Sequence, residues 1–153
     1  MPMQTILVIE DEPAIRNNIA KILTYKGFQT ISAADGDEGI DMARAYLPDL
    51  IICDIMMPQR DGYAVLEVLR GDPHTNSIPF IFLSAKVDKP DVRQGMNLGA
   101  DDYLTKPFTS AELVAAVTAR ITRQTNLTQP YQQEMKRAAT NLTHFAFYDP
   151  VTN

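Results

Sequence analysis

Five short apolar runs, separated by longer stretches of helical period, constrain this chain more than any other feature in it. The runs are Ile6-Leu7-Val8-Ile9, Phe28 to Ile31, Leu50-Ile51-Ile52-Cys53, Phe80-Ile81-Phe82-Leu83 and a weaker Tyr103-Leu104. The first, third and fourth are apolar throughout, as strands buried on both faces are. Between them, Ile15, Ile19, Ile22 and Leu23 share one helical face, Ile40, Ala43 and Leu47 a second, and Val65, Leu66 and Leu69 mark a third helix. Two further helices are expected at about Asp88 to Asn97 and Ser110 to Arg123. Gly27, Pro48, Gly71 with Pro73, and Gly99 stand where helices should stop, while Asp35, Asp61 and Thr109 or Ser110 suit helix starts. Strands that alternate with helices require a parallel sheet joined by crossover helices, here five βα units over roughly residues 3 to 124.

Composition narrows the class. A chain of 153 residues is long enough to bury a core without a disulfide or structural metal, and Cys53 is its single cysteine. With no apolar leader and no run of about 18 apolar residues, the chain is expected in the cytoplasm and not in a membrane. A net charge of -5 argues against direct binding of nucleic acid. Residues 125–153 carry Lys136, Arg137, Glu134 and Asp149, so the whole acidic excess belongs to residues 1–124.

Ligands of an open parallel sheet gather at the carboxyl ends of its strands. The first run leads into Glu10-Asp11-Glu12, the third into Asp54, the fourth into Ser84, and the fifth is followed by Thr105-Lys106-Pro107. Taken singly, Asp11 also suits an N-cap for the helix entered through Pro13, and Ser84 a turn. Asp54 is harder to explain structurally, because a carboxylate at the end of a buried strand needs compensation. A hard divalent cation such as Mg²⁺, held by Glu10, Asp11 and Asp54, would supply it. Lys106 then reads as a cation for phosphoryl oxygens and Ser84 as a hydroxyl donor to them, around a carboxylate nucleophile at Asp54.

Four ordered blocks carry a resemblance: Ile6 to Pro13, Asp54-Ile-Met-Met-Pro-Gln-Arg-Asp-Gly62, Leu83-Ser-Ala-Lys86, and Gly99-Ala-Asp-Asp-Tyr-Leu-Thr-Lys-Pro-Phe108. Together they are similar to the receiver domain of bacterial two-component response regulators. The resemblance implies a flavodoxin-like, doubly wound sheet of strand order 2-1-3-4-5 with five helices. It implies Asp54 as phosphoacceptor from a sensor histidine kinase or phosphotransfer protein, and Mg²⁺ among Glu10, Asp11, Asp54 and the backbone carbonyl of Met56. It further implies Lys106 as phosphate counter-ion, a cis Lys106-Pro107 bond, and Ser84 with Tyr103 as a switch pair. Met56 and Lys86 fall where such proteins tune the lifetime of the phosphoryl group. Asp101 and Asp102 are present on the face through which many relatives dimerise. Gln94, Ala116 and Thr118 stand where basic residues are typical, so a charge-paired dimer through that face is not expected.

The sequence divides into a receiver at residues 1–124 and a linker helix at 125–153. In the second part Tyr131, Met135, Ala138, Leu142 and Phe145 form a short heptad seam, suited to a homodimer or to an amphipathic helix on its own domain. Phe145 to Asn153 resembles the opening of a diguanylate cyclase domain, with Val151 and Asn153 in place of the usual Leu and Gly. Rival readings are an aspartyl-phosphate hydrolase, for which Met56 occupies the place of the acid, and a stand-alone interaction regulator.

Overall fold

The computed structural model describes residues 3–85, 97 and 99–122. Five strands and three helices follow in the order β1 (Thr5–Ile9), α1 (Pro13–Tyr25), β2 (Gln29–Ala33), α2 (Gly36–Tyr46), β3 (Leu50–Asp54), α3 (Gly62–Arg70), β4 (Phe80–Ser84) and β5 (Asp102–Thr105). A fourth helix covers residues 110–122. The expected helix at Asp88 to Asn97 and the expected C-terminal helix at 125–153 lie outside the described residues, apart from Asn97 itself. Residues Met1–Arg120 form one compact unit.

All strand pairs are parallel, in the order β2-β1-β3-β4-β5, as expected. Every residue of β3 and β4 is buried, whereas β2 and β5 are partly exposed edges. On one face Leu7, Ile9, Ile51, Cys53, Phe80 and Phe82 pack into a single cluster with Ile40 and Ala43 of α2 and Val65, Leu66 and Leu69 of α3. The alternate residues Ile6, Val8, Leu50, Ile52, Ile81 and Leu83 are also fully buried, and strand periodicity turns them to the opposite face. Ile19 and Leu23 of α1, with Leu113 and Val117 of the helix at 110–122, are fully buried outside the first cluster. Right-handed crossovers demand this division: the chain reverses direction after β2, so α1 and α2 must cover opposite faces.

Local chemistry sets the boundaries. Asp35 and Asp61 cap α2 and α3 by accepting from the amides of Glu38 and Ala64 at 2.8 and 2.9 Å. Thr109, not Ser110, caps the helix at 110–122: its hydroxyl accepts from the Glu112 amide and its own amide donates to the Glu112 carboxylate, a reciprocal capping box. The start of α1 differs from the Asp11 alternative, since Glu12 occupies the cap position without a side-chain bond and Pro13 follows.

Two boundaries depart from the sequence pattern. The second strand begins at Gln29 and reaches Ala33, where Phe28 to Ile31 was expected. The Phe28 amide is used to close α1, donating to the Leu23 carbonyl at 3.0 Å beside the Gly27 amide on Thr24, with Gly27 at φ 97°. Leu47, expected on the buried face of α2, is half exposed. Pro48 disfavours the helical conformation at the residue before it, so Leu47 turns left-handed at φ 46° and ends the helix.

Gly62 is the tightest constraint near the carboxyl ends of the strands. A Cβ there would stand 2.5 Å from the carbonyl oxygen of Asp54 and 2.9 Å from Cα of Ile55, both main chain and unable to yield cheaply. Gly62→Ala should therefore destabilise the protein by about 1–3 kcal/mol in urea titration. Gly71→Ala, whose Cβ would meet nothing nearer than 3.6 Å, should stay within about 0.5 kcal/mol of the parent. Equal losses in the two variants would contradict the close approach of α3 to Asp54.

Candidate functional site

The sheet topology delivers the chemistry. Strand β1 lies between β2 and β3, so the chain leaves its carboxyl end in one direction and its neighbour's in the other, opening a crevice between them. Glu10 is the first residue beyond β1, and its amide still donates to the Ala33 carbonyl at 3.1 Å, which fixes it to the sheet. Asp54 is the last residue of β3, and Lys106 the first beyond β5. Glu10, Asp11, Glu12, Pro13, Asp54, Met56, Ala85 and Lys106 line one open cleft of about 520 Å³.

Glu10 and Asp54 are buried, while Asp11 and Met56 are exposed at the rim. Lys106 Nζ bridges the two buried carboxylates, donating to Glu10 Oε1 at 2.8 Å and lying 3.2 Å from Asp54 Oδ1. Glu10 is held further by the Glu12 amide on its Oε2 at 3.2 Å, and its carbonyl accepts from Arg16 Nη1 at 2.8 Å. The sequence reading passed over Arg16; a basic residue one turn into the helix after an acidic stretch was the available signal.

Burial controls the proton affinities. Desolvation pushes the Glu10 carboxyl up to about 7, with Lys106 opposing and the nearby Asp54 charge reinforcing the shift. Asp54 is also raised by desolvation, against the Lys106 charge. Burial alone would depress the Lys106 ammonium, but the hydrogen bond to Glu10 and the Asp54 charge hold it above its ordinary value. The Cys53 thiol, buried and next to Asp54, is pushed well up and is a poor nucleophile.

Oxygens of Glu10, Asp11 and Asp54 all lie within 4.8 Å of one another. Among the described residues three carboxylates thus face one ammonium, and burial raises the proton affinities of Glu10 and Asp54 in spite of it. An all-oxygen, incompletely neutralised set of this kind suits a hard divalent cation such as Mg²⁺.

Ser84 and Tyr103 do not line the cleft. Ser84 ends β4, is buried, and its carbonyl accepts from the Lys106 amide at 2.9 Å. Tyr103 pairs with Phe82 in the β4–β5 register, and its half-buried ring lies 5.3 Å from that of Phe82. The Lys106-Pro107 bond is cis, as the resemblance implied.

A family model described as "Response regulator receiver domain" matches residues 6–118. The chain belongs to the response regulator receiver family. It is 41% identical over 120 residues to the DNA-binding response regulator MtrA of Mycolicibacterium smegmatis, covering 78% of this chain and 51% of that protein. The chain therefore spans about half the length of the curated relatives it matches. A putative response regulator from Chloroflexus aurantiacus superposes with a TM-score of 0.75 at 32% identity, over 79% of this chain and 99% of the other. The receiver domain of the sensor histidine kinase PA1611 from Pseudomonas aeruginosa superposes with 0.73 at 30% identity, over 79% and 99%, and holds a magnesium ion in its active-site cleft. This receiver serves phospho-accepting signal transduction, and no described helix is long and apolar enough to cross a membrane.

The Glu10 shift has a pH consequence. With the folded value near 7 and the ordinary value 4.5, the folded state binds more protons than the unfolded one between those limits. Stability of the metal-free receiver should consequently fall as pH rises from about 4.5 to 7, Glu10 contributing on the order of 3 kcal/mol. Chemical denaturation across that range should show a shallower slope in Glu10→Gln, and Mg²⁺ should stabilise the parent more at pH 7.5 than at pH 5.

Proposed function

We propose that Asp54 accepts a phosphoryl group from a phosphohistidine on a sensor kinase or phosphotransfer protein. The observation that carries this reading is the Lys106 ammonium held between the buried carboxylates of Glu10 and Asp54. In the transfer the histidine N–P bond breaks, an Asp54 O–P bond forms, and the released electron pair returns to the imidazole. On this reading Lys106 follows the phosphoryl oxygens and Ser84 moves to donate its hydroxyl to them. Glu10, Asp11, Asp54 and the carbonyl of Met56 would hold Mg²⁺, which when bound would offset the negative charge that otherwise keeps phosphate from carboxylate. Beside the cleft, a hollow of about 390 Å³ lined by Ile15, Asn18, Ala85, Lys106, Pro107 and Phe108 offers apolar surface to a docking partner. Modification of Asp54 then biases Ser84 and Tyr103 between two arrangements.

In this reading residues 1–124 are the receiver and 125–153 a linker that pairs two copies and leads toward a diguanylate cyclase-like domain in the cytoplasm. The support is the heptad seam and the resemblance of Phe145 to Asn153, which lie outside the described residues. The acidic receiver itself does not contact nucleic acid; the DNA-binding relatives are about twice its length. A stop codon directly after Asn153 in the native gene would remove the cyclase proposal.

Incubated with acetyl phosphate and Mg²⁺, the chain should gain one base-labile phosphoryl group by intact mass, and Asp54→Asn none. Lys106→Ala should slow uptake by ~10²-fold. Ser84→Ala should still be phosphorylated but lose the change in amide exchange at residues 102–105. Undiminished labelling of Asp54→Asn would overturn the assignment of the acceptor.

A further inference from the structure

Tyr63 is the second residue of α3, and nothing in the sequence singles it out for chemistry. Its ring stands edge-on to Phe82 with centroids 5.2 Å apart, and Phe82 in turn carries the Tyr103 ring at 5.3 Å. The two tyrosine hydroxyls lie 3.4 Å apart, across 40 residues of sequence. Tyr63 directly follows Gly62, whose amide donates to the Ile55 carbonyl at 2.9 Å and where a Cβ would stand 2.5 Å from the Asp54 carbonyl oxygen. One turn of helix thus approaches the main chain of Asp54 on one side and the hydroxyl of Tyr103 on the other.

We infer that Tyr63 is a positioning residue for the switch: its hydroxyl holds Tyr103 against Phe82 in the arrangement where Lys106 grips Asp54. The inference rests on the reading of Asp54 as acceptor and of Ser84 with Tyr103 as the switch pair. The hydroxyl contact favours one orientation of the Tyr103 side chain over any in which the oxygens part. Phosphorylation draws Lys106 and Ser84 to the phosphoryl oxygens, and a Tyr103 that follows gives up its contact with the Tyr63 hydroxyl. The contact therefore works against phosphorylation by the amount that it favours the present orientation. A hydrogen bond between neutral groups of this kind is worth roughly a two- to tenfold bias in a two-state equilibrium.

Tyr63→Phe tests this, because it keeps the ring on Phe82 and removes only the oxygen. The parent chain, Tyr63→Phe, Tyr103→Phe and the double variant are compared for initial phosphoryl uptake from acetyl phosphate with Mg²⁺. Amide exchange at residues 102–105 is read before and after phosphorylation. Each single variant should take up phosphate about two- to tenfold faster than the parent, and the double variant no faster than either, since both changes delete the same contact. The thermal midpoint of Tyr63→Phe should stay near that of the parent. If Tyr103→Phe alters uptake while Tyr63→Phe does not, or if the two effects multiply, the role of Tyr63 is rejected and the switch reading stands. If Tyr103→Phe matches the parent in both uptake and exchange, the switch reading itself fails.

Discussion

One ammonium carries the electrostatics of the functional edge. Glu10 and Lys106 are 96 positions apart, and the pair closes because the parallel sheet brings the carboxyl ends of β1 and β5 to one edge, with β5 running two residues past the level of Ile9. Strands β3 and β4 lie between them in the sheet, so the lysine stem must reach over the end of β4 to find Asp54 and then Glu10. The residues it crosses there, Ser84 and Ala85, are small. A long apolar stem with a charged tip suits that span, and a shorter cation would not reach. Without the ammonium, two carboxylates would stand buried and unpaired, at a cost of several kcal/mol. Even with it, Glu10 titrates near 7. Among the described residues, three carboxylates against one ammonium leave the edge two positive charges short, and that shortfall accounts for its fit to a divalent cation.

The fold places this shortfall where a partner can reach it. Reversal of the chain after β2 leaves the crevice between β1 and β3 uncovered by any crossover, while α2 and α3 seal one face of the sheet below it. Capping keeps the helix starts near the crevice firm: Asp61 binds the first turn of α3, and Arg16 of α1 grips the Glu10 carbonyl. Asp54 is thus closely packed in its main chain, while its buried carboxylate borders the open cleft.

Much of this was legible in the sequence because the sheet is parallel and buried. Continuous apolar runs such as Leu50 to Cys53 have no polar face to confuse their period, and the polar residue that follows each run marks a strand end. The strand order came from the resemblance and could not be read from periodicity. The boundaries at Phe28 and Leu47 were misread for a physical reason: at these helix ends a Gly or Pro neighbour turns the apolar residue to closing the helix. Asp11 was open between cap and ligand, and its closeness to Glu10 and Asp54 is a fact of three dimensions. Tyr63 was invisible for the same reason. An aromatic at the start of an amphipathic helix reads as core, and nothing local reveals a hydroxyl 40 residues away.

The placement of Gly62 and Tyr63 side by side suggests how a change confined to one carboxylate becomes a change of shape. Closely packed interiors do not deform smoothly; they move between discrete packings. Gly62 brings the α3 backbone so near Asp54 that the loop and the helix start must shift together. Tyr63 transfers such a shift to Phe82 and Tyr103, the aromatic layer that lines up with β5. Phe80 extends that layer, 5.1 Å from Phe82, toward the opposite end of β4. There Arg70, at the far end of the same helix α3, holds the Ile78 and Gly99 carbonyls at 2.8 Å each and lies 3.4 Å from Asp101. Helix α3 is therefore fixed at one end by a charged clamp to the chain entering β5, and at the other by a neutral hydroxyl pair and ring contacts. The start of α3 also carries the Asp61 cap and the Gly62 amide on the Ile55 carbonyl, so it is tied to the Asp54 main chain on one side and to the Phe82 and Tyr103 layer on the other.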